Sequence, residues 1–128
     1  MPVRSLNSSV LKWPDRQEVH EALLKWVKKA VTERPDIRAV GYFGSYARGD
    51  WGFGSDLDLI VVLENATEPF GRRQLSVDVL DLPVGVDLLV YTVSEWQSLI
   101  RSGSRFAKTV VAETVWIYTR ENGEEQGV

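Results

Sequence analysis

The first periodic pattern in the chain opens at Pro14–Asp15. Beyond it Val19, Ala22, Leu23, Trp26, Val27, Ala30 and Val31 recur at i, i+3, i+4 and i+7, which places them along one side of a helix. Asp15 with Glu18 three residues on resembles a capping box with Asp in the usual Ser/Thr place, and Pro35 ends the run. His20, at the edge of the stripe, is expected to be a half-exposed helix residue. The pattern then shortens into four strand-like runs, Ile37–Phe43, Leu57–Leu63, Val84–Tyr91 and Thr114–Thr119. The second is apolar except for Asp58, the third except for Gly85 and Asp87. Runs of this kind predict strands covered on at least one face by helices. Between them Phe70–Leu80, Ser94–Ile100 (with Ser94 as its cap) and Arg105–Ala112 predict helices. The fold class that follows is α+β, α/β-like: a mixed β-sheet of about four strands with helices packed against it, in an order the pattern does not contain. One domain, residues 13–119, is expected between an N-terminal segment, 1–12, and a tail, 120–128. The tail reads RENGEEQGV, which offers no apolar anchor and predicts a solvated, mobile end.

Composition narrows the chemistry. The chain has 128 residues, 44% hydrophobic and 26% charged, the mixture of an ordinary globular domain. It has no cysteine, which excludes disulfides, thiol nucleophiles and cysteine-ligated metal sites. One histidine all but excludes a Ser-His-Asp triad or a multi-histidine metal site. Carboxylates, hydroxyls, lysine and arginine are left to do any chemistry. The net charge of −3, from 15 basic and 18 acidic residues, argues against a general nucleic-acid binder. The longest apolar run, Leu59–Leu63, is far short of the ~20 residues that span a bilayer. No apolar core with a cleavage site is visible in Met1–Lys12, so the cytoplasm is the expected compartment.

The informative stretch is Gly41–Leu63, GYFGSYARGDWGFGSDLDLIVVL. A strand runs into Gly44-Ser45, Ser45 is placed to cap one helical turn over Tyr46–Arg48, and Gly49 to end it. A strand that feeds a Gly-Ser turn and a helix start is a phosphate-binding arrangement, though such turns are also common as plain caps. Further along, Asp56 and Asp58 are two apart, so on a strand both face the same way with backbones roughly 6.6 Å apart. Without a cation two such charges repel by roughly 2.5 kcal/mol at an effective dielectric near 20. Asp87 interrupts a second apolar strand. Three strand-borne carboxylates beside a Gly-Ser turn make a hard, oxygen-rich site suited to Mg²⁺. Any one of them alone would read better as a paired or capping residue.

Gly44-Ser45, ten intervening residues and Asp56-Leu-Asp58 resemble the GS-x10-DxD signature of the polymerase-β-like nucleotidyltransferase superfamily, and Asp87 in VDLLVY matches its third carboxylate strand. The size resembles that of the minimal nucleotidyltransferases, whose core is palm-like and lacks a helical acceptor-binding domain. The resemblance implies that Asp56, Asp58 and Asp87 are the catalytic and metal-binding set for two Mg²⁺ ions. It implies that Gly44, Ser45, Arg48 and Ser55 bind the nucleotide, with ATP as donor. A surface salt bridge is the competing role for Arg48. It further implies a hydroxyl acceptor, a tyrosine of an all-helical HEPN-type toxin partner, and so an antitoxin role. Two alternatives stand beside this. One is a transferase for a small, aminoglycoside-like hydroxyl compound held at a homodimer interface. The other is a non-catalytic module that masks a helical partner by contact. The aromatic loop Trp51-Gly-Phe53 departs from the smaller or polar residues expected there and leaves substrate choice open. Exposed members of the set Trp13, Trp51, Phe53, Trp96 and Trp116 would suit a docking surface, although core packing accounts better for most of them.

Overall fold

The computed structural model describes residues 14–52, 54–69, 72–73, 77–121 and 124–125; Met1–Lys12, Trp13 and Phe53 lie outside them. Helix α1 spans Arg16–Glu33. The capping box forms: the Glu18 N–H donates to Asp15 Oδ1 at 2.9 Å, and the Asp15 N–H donates to Glu18 Oε1 at 2.9 Å. Val19, Leu23, Trp26 and Val27 are buried, and the Trp26 indole N–H donates to the Asp78 carbonyl at 2.7 Å, tying a distant loop to the helix.

Strand β1 (Ile37–Phe43) follows, then the single turn α2 (Ser45–Arg48) and β2 (Leu57–Leu63). A crossover leads to β3 (Val86–Thr92), parallel to β2, as a parallel pair requires. Helices α3 (Val93–Ser102) and α4 (Arg105–Glu113) precede β4 (Val115–Glu121) and a two-residue β5 (Glu124–Glu125). The sheet order is β3-β2-β1-β4-β5, and β1 is antiparallel to both of its neighbours. This is the expected mixed sheet, with its order now defined.

Alternation along β2 divides the core. Leu57, Leu59, Val61 and Leu63 join the α1 residues on one face, while Ile60 and Val62 meet Val110 of α4 on the other. Asp58 shares the parity of Ile60 and therefore belongs to the α3–α4 face.

Several boundaries differ from expectation, each for a local reason. The cap of α3 is Thr92 rather than Ser94, because Thr92 and Glu95 exchange capping-box bonds of 3.1 and 2.9 Å. Residues 77–80 of the expected Phe70–Leu80 helix are not helical. There the Asp78 carboxylate accepts the Leu80 N–H at 3.0 Å, a local bond that competes with the helical one. Phe70, Gly71 and residues 74–76 lie outside the described residues. Val84 and Gly85 precede β3 rather than open it.

At the other end, the strand continues beyond Thr119 through Arg120 and Glu121, and β5 pairs back on it, where a solvated tail was expected. Its anchors are polar. Arg120 Nη2 donates to the Pro35 carbonyl at 2.7 Å, and Arg38 Nε donates to the Arg120 carbonyl at 2.7 Å, so an apolar pattern could not reveal them.

Candidate active site

The three aspartates line one cleft at one end of β2 and β3. In the parallel β2–β3 pair Asp58 and Asp87 are direct register partners, so their side chains leave the same face side by side. Asp56 does not lie on the strand; it sits just before β2, where the Leu57 N–H donates to the Gly85 carbonyl at 2.8 Å. A Cβ on Gly85 would stand 2.7 Å from Asp56 Oδ1, so the absence of a side chain at that position makes room for the carboxylate.

Gly44 does the same for Asp58. It has φ 81°, and a Cβ there would overlap Asp58 Oδ2. Gly44, not Ser45, is the N-cap of α2; Ser45 is its first residue, because the positive φ needed to turn the chain out of β1 falls at the glycine. The Ser45 hydroxyl is therefore not spent on a cap. Gly49 ends the turn in the left-handed conformation, as its position predicts.

A cleft of about 420 Å³ is lined by all seven residues singled out from the sequence: Gly44, Ser45, Arg48, Ser55, Asp56, Asp58 and Asp87. Phe43, Thr109 and Glu113 complete its walls. Phe43 is the register partner of Asp58 across β1–β2, and its place beside Gly44 was a usable signal. Thr109 and Glu113 come from α4, far along the chain, and nothing in the sequence pointed to them.

Arg48 donates from Nε to Asp50 at 3.0 Å and from Nη1 to Glu113 at 3.2 Å. With its side chain 45% exposed, these solvent-screened pairs contribute little to stability. Ser55 Oγ accepts the Gly52 N–H at 2.7 Å and closes the turn that delivers Asp56.

The cleft is short of positive charge. Burial, then the neighbouring Asp87 and Asp56 carboxylates, raise the Asp58 carboxyl above the usual range, against a smaller opposing pull from Arg48. Among the described residues no three His, Asp or Glu side chains form a preassembled metal cage. Three like charges around one cleft are expected to stand apart until a cation draws them together. The donor set itself, all carboxylate oxygen beside a cradle cleared by two glycines, fits a hard divalent ion.

Of the other sequence candidates, Trp13 and Phe53 lie outside the described residues, and the rest make contacts away from the cleft. Trp51 stacks on the buried Tyr46 at 5.7 Å, and Trp96 packs against both Tyr91 and Trp116. His20 is half-buried, with Nδ1 2.9 Å from the Tyr42 hydroxyl. No helix among the described residues is long and apolar enough to cross a membrane.

The chain is similar to several known proteins. Protein adenylyltransferase MntA of Thermococcus cleftensis is 34% identical over 99 residues, covering 76% of this chain and 91% of that protein. The fold is shared with a protein of Sulfolobus solfataricus assigned as a nucleotidyltransferase, at a TM-score of 0.61 and 19% identity over 98% of this chain and 100% of that one. It is also shared with a mutant of the toxin–antitoxin MntA–HpeT, at a TM-score of 0.50 and 20% identity over 80% of this chain and 74% of that one. The family model for the nucleotidyltransferase domain matches residues 24–117, a span that includes the Gly-Ser turn and all three aspartates. The chain therefore belongs to the nucleotidyltransferase domain family and is a nucleotidyltransferase.

Proposed function

We propose that the protein is a Mg²⁺-dependent adenylyltransferase that moves AMP from ATP to a tyrosine hydroxyl of an all-helical HEPN-type toxin, and so serves as the antitoxin of a pair. The observation that carries the reading is the register of Asp58 with Asp87, with Asp56 and the Gly44-Ser45 turn opening on the same cleft. The relative named protein adenylyltransferase MntA supports AMP as the group moved and a protein as its acceptor. The fold shared with MntA of a toxin–antitoxin pair is in keeping with the biological role.

Asp56, Asp58 and Asp87 are the residues that would hold Mg²⁺, two ions in this reading; bound there, the metal supplies the positive charge that triphosphate and leaving group need. The chain's own groups do the remaining work. The backbone at Gly44 lies open to the phosphates because no Cβ intervenes, and the Ser45 hydroxyl donates to a phosphate oxygen. Arg48 offers its remaining N–H groups to the departing pyrophosphate. Asp87, on the outer strand of the sheet, accepts the proton of the attacking hydroxyl. The acceptor oxygen bonds the α-phosphorus as the bond from that phosphorus to the bridging oxygen of the β-phosphate breaks. The products are an AMP ester and pyrophosphate.

The test uses ATP labelled at the α- or the γ-phosphate, Mg²⁺, and a candidate all-helical HEPN-type protein. The expected result is label on that protein from α-labelled ATP alone, lost when its acceptor tyrosine becomes phenylalanine. Label that appears only on added hydroxyl compounds would instead favour a small-molecule transferase. A tight complex with no transfer would favour masking by contact.

A further inference from the structure

Helices α3 and α4 cover their face of the sheet incompletely. No residue of α3 is fully buried, and α4 buries only Ala107 and Val110. Between them and the sheet runs a groove of about 350 Å³, floored by Ala39, Val62 and Val110 and walled by Trp96, Ile100 and Trp116. Ile100 and Val111, both at this groove, remain 36% and 59% exposed. Apolar side chains left open around an apolar trench mark an interaction surface.

Arg38 and Arg120, the charged residues that line the groove, are both engaged by Glu64, and the charge on the two helices beside it is one-sided. On these two helices Glu95 is engaged by Arg73 and Glu113 by Arg48. Arg101, Arg105 and Lys108 have no side-chain partner among the described residues. Arg101 adjoins Ile100, and Lys108 lies one helical turn before Val111. The free charge of this layer is thus positive on a chain whose total is −3.

We propose that the α3–α4 face docks an acidic, amphipathic segment of the protein that carries the acceptor hydroxyl; the inference rests on the reading that the acceptor belongs to a protein. Apolar side chains of that segment enter the groove between Trp96, Ile100 and Trp116, and its carboxylates meet Arg101, Arg105 and Lys108. Helix α4 is the wall common to groove and active site. Its Val110 and Val111 line the groove, while Thr109 and Glu113 line the catalytic cleft. A partner seated in the groove is therefore about one helix diameter, ~10 Å, from the aspartates. The division also suits the charges: the cleft, rich in carboxylates, repels acidic protein, and the basic rim holds the partner's acids away from it. A nucleic acid fits this surface less well, because Ile100 and Val111 stand exposed among the cations.

The test measures fluorescence anisotropy of a labelled synthetic helix with leucines at i, i+3, i+4 and i+7 and glutamates elsewhere. A copy with lysines for glutamates and a single-stranded oligonucleotide serve as competitors. The glutamate peptide is expected to bind wild type and to weaken with salt. Val111→Asp should weaken it about tenfold, and the double change Arg101→Ala/Lys108→Ala several-fold with a flatter salt dependence. Binding of Mg²⁺–ATP should be unchanged in both, and Val111→Ser covers the case in which the aspartate disturbs folding. Absence of peptide binding, equal binding of the lysine peptide, displacement by the oligonucleotide, or indifference to position 111 would each overturn the proposal. Asp58→Asn should retain peptide binding. Peptide binding without any AMP transfer to protein would sink the adenylyltransferase reading alone, whereas transfer to partner unaffected by Val111→Asp would sink the docking surface alone.

Discussion

The two faces of the sheet are built differently. On one, an 18-residue helix with a continuous apolar stripe lies along the strands, and Val19, Leu23, Leu57, Leu59 and Leu63 are wholly buried. On the other, helices of 10 and 9 residues meet at Gly103, and among the described residues the buried apolar cluster is the small set Ile60, Val62 and Val110, with Ala107 buried beside it on α4. A long helix, joined by Val77, Leu82 and Val84 of the loop before β3, covers the first face closely. Two short ones leave gaps at their ends and between them, and here those gaps are the catalytic cleft and the apolar groove. The sparser face is held partly by a polar staple. Arg73, 5% exposed, engages both carboxylate oxygens of Glu95 in the first turn of α3 and donates to the Val90 carbonyl at 3.3 Å. Stability is thus concentrated on one side of the sheet and chemistry on the other, where carboxylates can stay near water.

This contrast is open to direct attack. The largest effect is expected from Asp58→Asn, which should lower AMP transfer by about a thousandfold or more, measured with α-labelled ATP. It should leave metal-free stability equal or slightly higher. The folded-state pKa of Asp58 is raised above its ordinary 3.8, so its ionised form opposes folding. The gain from Asn should accordingly be absent below about pH 3.8, grow as pH rises from there and be complete above the folded-state pKa, as melts in EDTA would show. Unfolding of this variant would make Asp58 a structural residue and reverse the division between the faces.

Next in size, Arg73→Ala should cost about 2 kcal/mol in urea unfolding, because it removes the charge-assisted bonds to the part-exposed Glu95 and the bond to the Val90 carbonyl. The same staple predicts acid sensitivity. Arg73 and the α3 N-terminus hold the Glu95 carboxyl down at about 2, from an ordinary 4.5. Its contribution is complete above pH 4.5 and is lost as pH falls toward 2, a loss Glu95→Gln should abolish.

A matched pair of truncations sharpens the comparison further. Val19 and Val110 are both 0% exposed, one on each face. Val19→Ala should cost about 2 kcal/mol and Val110→Ala about 1, because the second site opens on a groove into which its neighbours can relax. Equal costs would show the two faces to be packed alike. Smallest in stability is Arg48→Ala, whose exposed ion pairs are screened by water, so the urea midpoint should barely move. Its mark should be kinetic, a KM for ATP raised about tenfold.

Legibility followed the range of the interaction. The capping box of α1, the turn ended by Gly49 and the runs of β1 and β2 depend on residues within a few positions of one another, and each stands where the pattern placed it. The Gly-Ser turn and the Asp56/Asp58 pair are equally local, which is why Gly44, Ser45, Asp56 and Asp58 line one cleft; Asp87 joins them through the β2–β3 register. The misses arise where a distant or polar partner decides. Arg120 is fixed by the Pro35 carbonyl and by Arg38, and residues 77–80 are turned by a side chain's bond to its own backbone.

The order of residues alone determined which chemistry is present: three aspartates, a glycine-serine bend, no thiol and too few histidines for other routes. Tertiary structure alone decided that Asp87 lies beside Asp58, that Gly85 clears space for Asp56, and that α4 divides the cleft from the groove. The reason is that strand register and helix placement are set by burial summed over the whole sheet. No short window of the chain holds that sum.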